Sequence, residues 1–166
     1  RASQPGDNSE CAMRGVVLND DNYDWEGDQL LNHPLERSVI YELHVGGFTR
    51  HPSAQVAHPG TFSAVIEKIP YLKTLGITDV ELLPVMAFDE QDVPATAAAR
   101  GLKNYWGYST HSFFAPHPGY CIAPDQGTQR LEFRDMVKTL HQAGIGVILG
   151  SVPITGMDAM DAFTKD

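Results

Sequence analysis

The clearest hydrophobic pattern along the chain is three short apolar runs separated by two stretches of helical spacing. Ser38-Val39-Ile40-Tyr41-Glu42-Leu43-His44-Val45 is rich in β-branched and aromatic residues and is closed by Gly46-Gly47. Ile77-Thr78-Asp79-Val80-Glu81-Leu82-Leu83-Pro84-Val85 is mostly apolar and is preceded by Gly76. Ile145-Gly146-Val147-Ile148-Leu149 is the third run. Runs of this length and composition predict strands buried on both faces, as in a parallel sheet. Between the first two, Phe62, Val65, Ile66, Ile69, Leu72 and Leu75 recur at helical spacing. Pro70 inside that stretch is expected to kink the helix or start a second segment, and Gly76 to end it. Before the third run, Leu131, Phe133, Met136, Val137, Leu140 and Ala143 make one apolar face. Thr128 is placed to cap that helix and Gly144 to stop it. The order strand, helix, strand, helix, strand predicts parallel pairing through right-handed crossovers.

The rest of the chain is less regular. Phe88–Ala123 shows no clear periodicity and is long for a plain connection, which marks it as a functional loop. Residues 1–37 read as an arm, with Tyr23-Asp24-Trp25-Glu26-Gly27-Asp28 packing its two aromatics on the domain. Residues 38–149 read as the domain and 150–166 as a separate tail. In the tail, Met157, Met160 and Phe163 recur at three-residue spacing and are expected to cover apolar surface.

Composition narrows the partners. The 166 residues carry a formal net charge of −9, which argues against a nucleic-acid partner or an anionic membrane. A neutral ligand fits better. Cys11 and Cys121 are the only cysteines and make no disulfide framework. No signal-peptide pattern and no apolar run of membrane-spanning length is read, and the expected setting is a reduced cytoplasm. The seven histidines are scattered, His111 and His117 among them, so neither a metal nor a cofactor is expected.

Several phrases are specific in combination. Val39-Ile40-Tyr41-Glu42-Leu43-His44-Val45, Val80-Glu81-Leu82-Leu83-Pro84-Val85, Asn104-Tyr105-Trp106-Gly107-Tyr108 and Phe113-Phe114-Ala115-Pro116 occur in one order over Ala12–Leu149. Together they resemble family 13 of the glycoside hydrolases, the alpha-amylase superfamily, in its isoamylase and glycogen-debranching branch. The resemblance implies a (β/α)8 barrel, a fold of about 250 residues, of which this chain holds the first three parallel strands and two crossover helices. It also implies that the long loop supplies part of a sugar cleft, with Tyr105, Trp106 and Tyr108 as candidate carbohydrate contacts. An aromatic face stacks on the C–H face of a pyranose and a phenol bonds its hydroxyls. The same rings could instead pin the loop to the barrel.

The departure from the family lies after the third apolar run. The family continues there with an Asp, then an Asn and a His, whereas this chain reads Gly150-Ser151-Val152-Pro153-Ile154-Thr155. The family's catalytic carboxylates lie on later strands. No residue here matches one, and no catalytic residue is assigned. Glu42 and Glu81 are expected on one side of the sheet, in a buried polar network with His44. Asp89, Glu90 and Asp92 read as a solvated acidic surface. The function expected is therefore a shortened, non-catalytic relative of a debranching enzyme that binds α-glucan weakly or acts by assembly. Two other readings stay open: a hydrolase part that needs strands from another chain, and an interaction module without sugar binding. Three strands cannot close a barrel, so a homo-oligomer through the open barrel face is expected.

Overall fold

The computed structural model describes residues 23–150, with Asp7, Ser9, Glu10 and Gly15. The expected tail contacts of Met157, Met160 and Phe163 lie outside the described residues, as do most of the residues before Tyr23.

Strand β1 is Ile40–Leu43, shorter than the apolar run that predicts it. His44 leaves the strand and caps a one-turn helix α1, Val45–Phe48, so Val45 is helical and buried rather than extended. Helix α2, Phe62–Glu67, starts at Thr61, whose hydroxyl accepts from Ala64 N and donates to His58 O. It breaks at Lys68, and helix α3, Ile69–Leu75, restarts with Pro70 in its first turn. Proline lacks the N–H that a continuous helix needs and would collide with the carbonyl four residues back. Gly76 ends α3 in the left-handed conformation, φ 73°.

Strand β2, Asp79–Leu82, follows. Strand β3, Met86–Phe88, a short helix α4, Ala95–Ala98, and strand β4, Thr110–Pro116, then lie in the stretch expected to be irregular. Strands β3 and β4 pair antiparallel with two register shifts. Met86 pairs with Pro116 and Ala87 with Ser112, so Phe113-Phe114-Ala115 bulge from the ladder and Phe114 is fully exposed.

Helix α5, Gln129–Gln142, and strand β5, Gly146–Leu149, complete the fold. Thr128 stands before α5 but is helical itself and makes no capping bond. Its hydroxyl donates instead to Glu132 Oε1, while the Glu132 carboxylate accepts from Ile122 N.

The main sheet is parallel, in the order β1-β2-β5, as the crossover pattern predicts. Its register puts Tyr41, Val80 and Val147 in one row, and Leu43, Leu82 and Leu149 in the next. This face meets the helices. Phe62, Leu72, Met136 and Leu140 close over Val80 and Leu82, all fully buried. At about 25 cal/mol per Å², burial of these side chains is the main stabilising term. The opposite face carries Ile40, Glu42, Asp79, Glu81 and Ile148. Gly146 leaves room there for the Asp79 carboxylate, which also accepts from Thr78 Oγ1 at 2.6 Å.

The arm docks on the outer side of α5. Tyr23 OH donates to Asp135 at 2.7 Å, and Arg134 and Lys138 lie over the Tyr23 ring. Lys138 also bonds Asp24 O and Glu26, and His141 meets Asp28 at 2.8 Å. Trp25 sets its edge against Tyr23 and stays 40% exposed. Among the described residues no helix is long and apolar enough to cross a membrane.

Candidate glucan-binding site

The site is built where β1 ends. His44 Nδ1 accepts from Gly47 N–H at 3.0 Å, so the ring proton is on Nε2. Nε2–H then donates to the Tyr105 carbonyl at 2.7 Å. The two rings stack with centroids 4.1 Å apart and planes within 5°. Trp106 and Tyr120 close on His44 edge-on, at 6.0 and 5.7 Å. The glycine pair after β1 has a second use beyond ending the strand. A side chain at Gly47 would strike the Tyr105 hydroxyl, and one at Gly46 would touch His44 and Tyr120 at 3.0 Å.

The aromatic run itself is a tight turn. Asn104 Oδ1 accepts from Gly107 N at 3.1 Å. Gly107 has φ 76°, and the Phe88 ring packs 2.7 Å from where its Cβ would be. Both facts require glycine. Tyr105 and Trp106 meet edge to face at 5.2 Å. Tyr105, Trp106 and Tyr108 each keep about half their surface exposed. Tyr108 shares none of the ring contacts among the described residues.

Beside Tyr105 opens a cleft of about 590 Å³, lined by His44, Arg50, Glu90, Lys103, His117 and Tyr120 together with Asn104 and glycine and apolar neighbours. His117 is buried and stacked on Phe88 at 3.9 Å. Glu90 Oε2 accepts from Lys103 Nζ at 2.7 Å, and Glu90 Oε1 lies 3.5 Å from His117 Nε2. The Lys103 bond holds the Glu90 carboxyl below the usual range, against the effect of burial. Burial pushes His117 down and the Tyr120 phenol up. At neutral pH the cleft therefore holds an ionised Glu90 and neutral His117 and Tyr120.

The carboxylates distribute differently from the sequence expectation. Glu90 is only partly solvated: it lines the cleft and keeps 39% of its side chain exposed, while Asp89 stays exposed and accepts from Gln91 N. Glu42 and Glu81 do share one face, at the same register. They form no buried network with His44, whose ring is committed to Gly47, Tyr105 and Tyr120. Glu42 is exposed and Glu81 partly so. As members of the site, His44, Glu90, His117 and Tyr120 escaped the sequence reading. Only His44 carried a signal, as the last polar residue before Gly46-Gly47.

Chemically, the arrangement offers aromatic faces for stacking and one carboxylate for accepting hydroxyls. A glycosidic general acid needs a carboxyl shifted upward, and Glu90 is shifted downward. Among the described residues no group of three or more His, Cys, Asp or Glu is placed to hold a metal. Cys121 is buried and free.

Comparison with known proteins agrees with the fold. The alpha amylase catalytic-domain profile matches residues 17–166. Isoamylase 1 of Arabidopsis thaliana chloroplasts is 41% identical over 154 residues, covering 89% of this chain. A glycogen debranching enzyme of Enterobacter is 46% identical over 151 residues, again 89% of this chain. The type I pullulanase of Bacillus subtilis, solved with maltose, superposes with a TM-score of 0.67 at 34% identity over 81% of this chain. The chain spans only about a fifth of the length of these relatives, 20% and 22% for the two enzymes named. Three parallel strands with the helices on one face, a match over nearly the whole sequence and these neighbours lead to one placement: the chain belongs to the alpha-amylase catalytic-domain family, glycoside hydrolase family 13, in the isoamylase and debranching group.

Proposed function

We propose that this chain binds α-glucan through the Tyr105–Trp106 shelf and does not itself hydrolyse it. One observation carries the reading. Tyr105 is locked by His44 through a stack and a 2.7 Å bond, yet keeps about half its surface free beside a polar cleft. A preorganised exposed aromatic next to hydroxyl acceptors is the general form of a sugar platform. The substrate class is supported by neighbours solved with maltose and maltohexaose. The absence of hydrolysis is supported by Gly150-Ser151-Val152-Pro153-Ile154-Thr155, which stands where the family carries Asp, Asn and His.

Titration of maltooligosaccharides against the ring signals of Tyr105, Trp106 and Tyr108 tests the reading. Affinity on the order of millimolar is expected, weakened about tenfold in Trp106→Ala. Unmoved rings at high sugar concentration would leave the loop aromatics a structural role only. In the same samples no reducing sugar is expected from glycogen or pullulan.

A second reading has its own support. Among the described residues strands β1 and β5 each pair on one side only, and the relatives are about five times longer than the matched segment. On that reading the chain is one part of a barrel, and the remaining strands supply the catalytic groups. Mixing this chain with the remainder of the Enterobacter debranching enzyme would then restore cleavage, whereas an inert mixture argues for the binding role.

A further inference from the structure

The geometry points to a hydroxyl-binding subsite formed by Glu90 and His117 behind a window at Gly119, taking one glucosyl unit of a neutral α-glucan. It rests on the glucan reading above and adds a place, distinct from the exposed aromatic shelf, where that glucan is held.

Glu90 Oε2 is occupied by Lys103 at 2.7 Å, which leaves Oε1. Oε1 lies 3.5 Å from His117 Nε2. That is beyond the 2.7–3.2 Å of a good N–H···O bond, so both atoms keep unused capacity. The ring cannot close the gap, because it is 4% exposed and stacked on Phe88 with planes within 12°. Its Nδ1 has no partner among the described residues, so none of them draws the proton away from the carboxylate-facing Nε2. A hydroxyl group completes the pair. It donates its proton to Glu90 Oε1 and accepts from His117 Nε2–H.

Gly119 decides whether a ligand can reach this pair. A Cβ there would sit 2.7 Å from His117 Nε2 and 3.2 Å from Glu90 Oε1. Its backbone is outside the left-handed region, so space, not conformation, is what glycine provides. All three residues line the same cleft as Tyr105. The charges of the cleft select the class of ligand. An anion would meet Glu90, and a cation would meet Arg50 and Lys103. A neutral polyol meets neither penalty and uses both the acceptor and the donor.

The test is maltotriose titrated into the full chain, read by calorimetry and by the imidazole nitrogen resonances of His117. Gly119→Ala and Glu90→Gln are compared with Trp106→Ala, which reports the shelf. Loss of the acceptor's charge in Glu90→Gln, and of the space beside the pair in Gly119→Ala, each predict about a tenfold loss of affinity. The His117 resonance is expected to shift on binding to the parent chain. If Gly119→Ala does not fold, Glu90→Gln and the parent resonance still give the answer. Parent-like binding by both cleft variants, with an unmoved His117 signal and weakened binding in Trp106→Ala, overturns the subsite and leaves the shelf. No binding by the parent chain overturns both.

Discussion

At the scale of single residues, the site depends on where side chains are missing as much as on where they stand. Gly47 lies inside a helix, where Gly→Ala ordinarily stabilises by about 0.4–1 kcal/mol. Here a methyl group would strike the Tyr105 hydroxyl. Gly47→Ala is therefore expected to destabilise, by about 1–3 kcal/mol for overpacking, in a chemical denaturation experiment. Tyr105→Phe in the same chain should recover part of the loss, because it removes the atom that is struck. A stabilised Gly47→Ala would show that the clamp on Tyr105 is not tight. His117 gives a pH prediction with a definite sign. Burial lowers its folded pKa below the ordinary 6.5. Below about pH 6.5 the unfolded chain takes up a proton that the folded chain refuses, so stability falls as pH drops from there towards the folded pKa. Melting temperatures followed downward from pH 8 should decline in that window, and His117→Asn should flatten the decline. The aromatic run was legible in the sequence because its residue types announce surface stacking. Glu90 was not, because an acid between Asp89 and Asp92 looks solvated until the distant Lys103 and His117 are brought beside it.

At the scale of elements, legibility followed local regularity. The three parallel strands, the restart at Pro70 and the stop at Gly76 each rest on signals within a few residues, and each appears in the structure. The β3–β4 hairpin was invisible because its bulges erase the period of two and a long excursion with α4 separates its strands. Thr128 misled for a similar reason: its hydroxyl competes for Glu132 rather than for the helix N–H groups. The arm makes a testable element. Its hold on α5 includes the Tyr23 ring under two cations and its bond to Asp135. Tyr23→Ala is expected to cost about 1 kcal/mol and to speed hydrogen exchange of residues 23–28 while leaving the core amides of α2 and β2 protected. Equal exchange in parent and variant would mean that the arm is held by other contacts.

At the scale of the whole molecule, the open face of the sheet decides how the chain behaves alone. Ile40 and Ile148 are exposed there, at 46% and 38%, beside Glu42, Asp79 and Glu81. Two copies face to face would bring acid onto acid, so association is expected instead along the edges of β1 and β5, which are unpaired among the described residues. Light scattering at micromolar concentration should show species larger than a monomer, and Glu42→Gln with Glu81→Gln should increase them. A monodisperse monomer in both samples would sink this expectation. The His44–Tyr105 contact has a further consequence, for folding rather than for binding. It joins residues 61 positions apart, so it carries a large loop-closure cost and forms only after local helices and neighbouring strands are in place. A sugar bound at Tyr105 would therefore favour chains in which this long-range contact has formed. If glucan binds there as proposed, it should raise the refolded yield by mass action and so act as a folding aid.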